Sequence, residues 1–236
     1  MSIKTEILRL KEELPSNVKL VAVSKFHPLD ALKEAYEAGQ RVFGESRPQE
    51  LYSKIMELET SPEYSKGVYS DIEWHFIGHL QTNKLKFVLP YVSMVESVDS
   101  LNLLEAVNNW SAAAGKVTDV LLEYHIAAEE TKQGFDAGQI KEILLSGRHY
   151  QNVRIRGLMG MATFTDDESV IRADFSRLIR LKEEIDIYKG RHGSANLSED
   201  FDTLSFGMTH DYKIAVEMGA DIVRIGTLIF GERVYN

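Results

Sequence analysis

The sequence predicts a single α/β domain folded as a (β/α)8 TIM barrel with an extra N-terminal helix. Short apolar runs alternate with segments of helical periodicity eight times along the chain. The array fits in 236 residues, about the length typical of such barrels. The first apolar run, Leu20 to Val23, lacks polar alternation, as expected for a strand buried on both faces. An open doubly wound sheet is the alternative, and eight successive strand-then-helix units favour the closed barrel.

The elements follow one another in a regular order. Near the N-terminus, four apolar residues at helical spacing predict an amphipathic helix that stops at Pro15; they are Ile3, Ile7, Leu10 and Leu14. The strand-then-helix pairs predicted after it are 18–23 with 29–38, 41–44 with 49–59, 73–77 with 83–89, 94–98 with 101–114, 117–124 with 136–146, 153–159 with 167–188, 203–206 with 211–218, and 222–225 with a short C-terminal turn.

No break in composition suggests a second domain, so residues 1–236 are expected to form one barrel domain. One segment stands apart from the regular alternation. Residues 189–202 are rich in Gly, Ser, Asn and charge, and we interpret them as a mobile loop inserted into the barrel.

Composition limits the classes of function. The formal net charge of −9 disfavours extended contact with a nucleic-acid backbone, although a local anion site remains compatible with it. No apolar run approaches the ~18 residues that a membrane span requires, and the N-terminus does not resemble a signal peptide. We therefore expect a cytoplasmic protein that does not bind nucleic acid or membranes.

Metal binding is not expected. The chain has no cysteine, which removes thiolate ligands as well as disulfides. His75 and His79 are four residues apart, but they fall in a predicted strand and turn. There this spacing does not place both rings on one helical face, as a zinc motif requires.

The chemistry of a (β/α)8 barrel lies at the carboxyl ends of its strands. In this chain Lys25 follows the first buried strand, where a lysine is either a ligand-binding residue or simply extends to water. The other predicted strand ends carry polar residues and glycines at 44–47, 78–81, 96–99, 159–162, 207–209 and 224–227. Five polar residues at or near these ends are compatible with a hydrated rim, and only a family resemblance would make them candidates for the pocket; they are Glu45, Arg47, His79, Gln81 and Asn83.

The last two strand ends predict a phosphate site. Residues 205–209 and 226–227 combine glycines with hydroxyl side chains beside the next helical turns. Barrels commonly bind phosphate after their seventh and eighth strands through backbone N–H groups. Ordinary turn and capping chemistry is the alternative explanation of each turn taken alone.

A lysine and a phosphate site on one barrel face suggest an aldehyde that carries a phosphate, because a lysine amine condenses with aldehydes. Pyridoxal 5'-phosphate (PLP) fits this chemistry. A sugar-phosphate aldolase would also use a Schiff-base lysine, so these two features alone leave both possibilities open.

The ordered set of motifs resembles the pyridoxal phosphate homeostasis protein family, the single-domain relatives of the N-terminal barrel of alanine racemase. The resemblance spans nearly the whole chain and argues against the aldolase. The motifs that carry it are Val21-Ala22-Val23-Ser24-Lys25, Phe43-Gly44-Glu45-Ser46, the run from Trp74 to Lys84, Gly157-Leu158-Met159, the run from Ser205 to Asp211 and the run from Val223 to Gly231.

The resemblance implies roles for individual residues. Lys25 would form the Schiff base with PLP, and Arg224 would face the pyridine nitrogen. The phosphate would be held by Ser205, Thr209, Gly226 and Thr227. Further cofactor-binding residues implied are Ser46, Asn83, Met159, Gly207 and Met208. Two positions depart from the family pattern, since Ser46 stands where many members have Asn and Thr209 where many have Ser.

These features lead us to expect a monomeric carrier that holds PLP, releases it to PLP-requiring apo-enzymes, and has no turnover of its own. A PLP-dependent racemase-like enzyme is the alternative. By resemblance, alanine racemase takes one of its two bases from a second domain of the partner subunit, and this chain stops at Asn236, just past the eighth strand. Proton transfer on two faces of a substrate needs two positioned groups, which favours the carrier.

Overall fold

A computed structural model of the chain describes residues 2–128, 133–145, 149–192 and 200–232. Eight parallel strands form a closed barrel in which each strand pairs with the next one in sequence. Pairing of Leu20 with Val223 and of Ala22 with Ile225 joins the first strand to the last and closes the sheet. The predicted (β/α)8 barrel is confirmed.

The strands are β1 (Lys19–Val23), β2 (Val42–Glu45), β3 (Glu73–Phe76), β4 (Met94–Val98), β5 (Thr118–Tyr124), β6 (Val153–Gly160), β7 (Thr203–Met208) and β8 (Ile222–Ile225). The α-helices are α1 (Ile3–Glu13), α2 (Leu29–Glu37), α3 (Pro48–Glu59), α4 (Leu101–Ala113), α5 (Ala137–Leu145), α6 (Glu168–His192), α7 (Tyr212–Glu217) and α8 (Thr227–Phe230). Two 3₁₀ helices cover Tyr64–Lys66 and Thr82–Phe87.

The predicted N-terminal helix is present as α1. Ser2 caps it, because its hydroxyl accepts a hydrogen bond from the backbone N–H of Thr5. Ile7 and Leu10 are fully buried on the inner face of the helix. The helix contacts α2 and α8, so it joins the first and last helical units of the barrel.

The buried apolar side chains of the strands and helices pack into one core. Side chains such as Phe43, Phe76 and Phe206 are fully buried within the single large apolar cluster. Polar residues are buried on the strands as well, among them Glu96 and Ser205. Since buried polar groups need partners, Glu96 and Ser205 hydrogen-bond to each other inside the barrel.

Most predicted boundaries agree with the structure to within a few residues, and two segments differ. The helix predicted over 83–89 is a 3₁₀ helix at Thr82–Phe87. The loop predicted over 189–202 begins later, because α6 continues to His192. Residues 193–199 of that loop lie outside the described residues, so its predicted mobility remains a prediction. Among the helices that the structure describes, none combines the length and apolarity needed to cross a membrane.

Candidate functional site

A cavity of about 390 Å³ lies at the carboxyl ends of β1, β3, β7 and β8. It brings together six of the residues predicted to bind the cofactor, which are Lys25, Met208, Thr209, Arg224, Gly226 and Thr227. The rest of its lining is contributed by Val23, His27, Ile77, Met161, Phe164 and His210. A volume of this size lies in the range of small-molecule sites.

The turn that carries Lys25 is held by its neighbours in the chain. Phe26 adopts a left-handed backbone conformation with φ of 66°, which non-glycine residues rarely take. Its N–H donates a 2.6 Å hydrogen bond to Oε1 of Glu50, and the Arg47 guanidinium lies 4.1 Å from the centroid of its ring. These contacts stabilise the unusual conformation and fix the direction in which the chain leaves β1.

A buried ion pair also stabilises the turn that carries Lys25. The Lys54 ammonium donates to Oε1 of Glu45 at 2.7 Å, to Oε1 of Glu50 at 2.8 Å and to the carbonyl of Ser24 at 2.8 Å. The Ser24 hydroxyl also donates to Glu45. Burial raises the pKa of Glu45. The sequence is compatible with Glu45 as a hydrated rim residue. In the structure Glu45 is fully buried and contacts Ser24, the residue before Lys25.

The predicted phosphate-binding residues Thr209, Gly226 and Thr227 lie side by side in the cavity wall. The Gly226 N–H lies 3.4 Å from Oγ1 of Thr209, to which it donates. A Cβ atom on Gly226 would lie 3.1 Å from the carbonyl oxygen of Val23, so the absence of a side chain lets this turn pass close to β1. The arrangement places a hydroxyl and backbone donors on one side of the cavity.

The backbone of Gly207, which the resemblance implies as a cofactor-binding residue, packs closely against α7. It does not line the cavity; it adopts φ of 96°, and a Cβ atom here would lie 2.5 Å from Cβ of Ala215 on α7. The backbone conformation and the close helix contact both require glycine. A register shift between β7 and β8 covers the same segment, from Ser205 to Met208.

Ser205 is also placed differently from expectation. It is fully buried inside the barrel rather than in the cavity wall. Its hydroxyl lies 2.5 Å from Oε2 of Glu96 and accepts a hydrogen bond from Nη1 of Arg224. Nη2 of Arg224 donates to the carbonyl of Gly160 at 3.1 Å. The structure thus joins Ser205 to the guanidinium group of Arg224 and not to the turns that carry Thr209 and Gly226.

Three other predicted residues lie outside the cavity lining. Met159 is buried in β6. Asn83 is exposed on the second 3₁₀ helix. Ser46 is partly buried after β2, where a Cβ atom on Gly78 would lie only 2.3 Å from its carbonyl oxygen. The ends of β2 and β3 therefore approach closely, and Ser46 lies at that junction.

The sequence analysis did not single out Glu123, a titratable residue whose charge interacts with that of Arg224. Glu123 is only 6% exposed near the end of β5. Burial, followed by the charge of Asp99, raises the pKa of Glu123 to about 7, against the opposing charges of Arg224 and His79. Asp99 and His79 form a 2.8 Å contact. An acidic residue within an otherwise buried strand is the signal that could have revealed Glu123.

Aromatic pairs flank the cavity and were not predicted either. His27 stacks on Phe230 with ring centroids 5.3 Å apart, and Phe164 contacts the edge of His210 at 5.0 Å. Phe164 is 79% exposed and lines the cavity together with His210. Apolar walls with a few convergent polar groups are typical of small-molecule sites.

The two histidines considered for a metal have carboxylate partners. Nδ1 of His75 lies 2.5 Å from Oε1 of Glu96, while His79 contacts Asp99. Within the described ranges, no group of three or more candidate ligands is arranged to hold a metal ion.

Comparisons with known proteins show the family to which the chain belongs. The model of the family "Alanine racemase, N-terminal domain" matches residues 2–234. The pyridoxal phosphate homeostasis protein of Aquifex aeolicus is 37% identical over 217 residues, which cover 92% of this chain and 88% of the relative.

Solved structures show the same barrel. PipY of Synechococcus elongatus in its PLP-bound form has a TM-score of 0.83 and 32% identity, covering 98% of this chain and 100% of PipY. An alanine racemase of Clostridium difficile has a TM-score of 0.73 at 12% identity and is covered over 57% of its length, which shows a shared fold. Since the family model and the curated relatives both extend over almost the whole length, the chain belongs to the pyridoxal phosphate homeostasis protein family, a branch of the alanine racemase N-terminal domain family.

Proposed function

We propose that the protein binds PLP in the cavity at the carboxyl ends of the strands, holds it as a Schiff base on Lys25, and releases it without turnover of its own. The observation that carries this proposal is the convergence in one cavity of an amine, a guanidinium and a set of phosphate donors. These are supplied by Lys25, by Arg224, and by Thr209 with Gly226 and Thr227.

The donor set fits the chemistry of PLP. The amine of Lys25 can condense with an aldehyde, forming a C=N bond as water leaves. The Thr209 hydroxyl already accepts from Gly226, so its own proton remains to be donated to a phosphate oxygen. Glycine at 226 lets the turn that carries this N–H lie close to β1. When bound, PLP would supply an aldehyde and an electron-withdrawing ring.

Arg224 favours storage over catalysis. A guanidinium has only donors and stays charged, so it can hydrogen-bond a pyridine nitrogen only when that nitrogen is unprotonated. An unprotonated ring withdraws electrons less strongly, which weakens catalysis at the α-carbon of an amino acid. The relatives are named as homeostasis proteins, which supports the same conclusion.

A racemase-like reaction is the competing function, and one observation favours it. His27 and His210 both line the cavity, and each could serve as a base if it faced the α-carbon of a substrate. Measurement of deuterium exchange distinguishes the two functions. The PLP-loaded protein is incubated in heavy water with L- and D-alanine, and separately with a PLP-requiring apo-enzyme.

We expect reactivation of the apo-enzyme and negligible exchange at the α-carbon. Sustained exchange that Lys25→Ala abolishes would establish the enzyme and reject the carrier.

We further propose that residues 1–236 form one domain that acts as a cytoplasmic monomer, in keeping with the single closed barrel.

Attachment to Lys25 is tested by borohydride reduction of the loaded protein, followed by peptide mass mapping. We expect the pyridoxyl group on Lys25 and its loss in Lys25→Ala. Lys213→Ala is the matched control. Lys213 is an exposed lysine near the start of α7, the helix that follows the carboxyl end of β7. Label spread over many lysines, with no preference for Lys25, would contradict the proposal.

A further inference from the structure

The charge of Arg224 is balanced inside the barrel by Glu96. The two side chains are 4% and 0% exposed, and Nη1 of Arg224 lies 3.6 Å from Oε2 of Glu96. Removing charged groups from water is costly unless each meets an opposite charge and suitable hydrogen bonds. Glu96 meets both needs, although it does not line the cavity itself.

The Ser205 hydroxyl hydrogen-bonds to both Glu96 and Arg224, and the direction of each hydrogen bond is fixed. Burial alone would raise the pKa of Glu96, but hydrogen bonds and charge from His75, the charge of Arg224 and the hydrogen bond from Ser205 lower it below its ordinary value. An ionised carboxylate only accepts hydrogen bonds and a guanidinium only donates them. The single Ser205 proton therefore goes to Glu96, and its oxygen accepts from Arg224.

Both ends of this array are anchored. His75 contacts the second oxygen of Glu96 at 2.5 Å and borders a separate cavity of about 470 Å³ at the amino ends of the strands. At the other end, the carbonyl of Gly160 accepts from Nη2 of Arg224. Two nitrogens of the guanidinium are thus held by different partners, which fixes its plane.

We propose that Glu96, acting through Ser205, is a positioning residue that orients Arg224 toward the pyridine ring of the bound cofactor. This inference rests on the proposed binding of PLP to Lys25. It assigns Ser205 to the ring end of the cofactor, and it leaves Thr209, Gly226 and Thr227 to the phosphate. Glu96 itself touches Arg224 and Ser205, not the cofactor.

The test compares E96Q and S205A with the parent in two measurements, the affinity for PLP and the pH dependence of the absorbance of bound PLP. We expect both variants to be labelled at Lys25 by borohydride, to bind PLP at least tenfold more weakly, and to titrate at a different pH from the parent. S97A is the matched control. Ser97 is a buried serine of β4, the strand that carries Glu96, and its hydroxyl donates to the carbonyl of Gly78. It should leave the pH profile unchanged.

S205A decides the question if E96Q does not fold, since it removes only the linking hydroxyl. An unchanged pH profile in the variants would overturn the positioning role even if affinity fell, because weaker binding alone follows from general loss of structure. Failure to label Lys25 in the parent would instead reject the proposed function, so the two failures are distinguishable.

Discussion

The Lys54 ammonium lies 2.7 Å from Oε1 of Glu45, with the two side chains 7% and 0% exposed. Through this pair and Glu50, the buried charges reach both neighbours of Lys25, since Lys54 donates to the carbonyl of Ser24 and Glu50 accepts from the N–H of Phe26. The position of Lys25 thus depends on charged groups that do not themselves line the cavity.

Lys54→Met should destabilise the protein by about 3–5 kcal/mol, because it leaves the Glu45 carboxylate buried without its countercharge. Urea unfolding of the PLP-free protein measures the change. The double variant Glu45→Gln with Lys54→Met should recover part of the loss, since it removes both buried charges. A loss below about 1 kcal/mol in the single variant would show that the pair behaves like an exposed ion pair.

Thr209→Val should weaken binding of PLP and spare pyridoxal. Valine keeps the shape of threonine and removes the hydroxyl, and a hydrogen bond to a charged acceptor contributes about 1.5–3 kcal/mol, or roughly 10- to 100-fold in affinity. Titration of parent and variant with pyridoxal and with PLP, followed by absorbance, gives the comparison. If the two proteins discriminate equally between the two aldehydes, the phosphate lies elsewhere.

The sequence was sufficient to predict the barrel because each unit carries its own local signal. Apolar runs and helical periodicity identify strands and helices without knowledge of their neighbours. The turns that carry Thr209, Gly226 and Thr227 could be located for the same reason, since glycines and hydroxyls follow two strands directly, while their binding of phosphate stays a prediction. Thr209, Gly226 and Thr227 do line one cavity with Lys25.

The assignment of Ser205 shows what the sequence could not supply. Ser205 and Thr209 both belong to or adjoin the end of one strand, yet the first lies inside the barrel and the second in the cavity wall. The difference arises from closure of the barrel, in which the side chains of β4 and β7, two strands that do not pair, meet so that Glu96 contacts Ser205 across 109 positions of sequence. No local pattern encodes such a contact.

Gly207→Ala should destabilise the protein by about 2 kcal/mol or more, because the new methyl group adds overpacking against Ala215 to a strained positive φ. Gly219→Ala isolates the effect of the backbone strain. Gly219 has φ of 89°, and among the described residues no other group lies within 4 Å of the position that its Cβ would take, so its cost should be only about 1 kcal/mol. Equal losses in urea unfolding would show that contact with α7 is unimportant.

Glu123→Gln should make the PLP-free protein more stable at alkaline pH and leave it unchanged in acid. Burial and the charge of Asp99 raise the pKa of Glu123 from its ordinary 4.5 to about 7 in the folded state. Between these values the folded chain keeps a proton that the unfolded chain releases, so the parent loses stability as pH rises through this window. Glutamine does not titrate and avoids the loss.

The difference between variant and parent should therefore grow from near zero at about pH 4.5 to a plateau of about 3 kcal/mol above about pH 7, at 1.36 kcal/mol for each pKa unit. Urea unfolding across this range measures it. Glu142→Gln is the control, since Glu142 is exposed on α5 and its carboxylate stays hydrated, so the difference should remain small at every pH. A flat difference for Glu123→Gln as well would mean that Glu123 is ionised in the folded protein throughout this range. Glu123 would then play no part in the pH dependence of the free energy of unfolding.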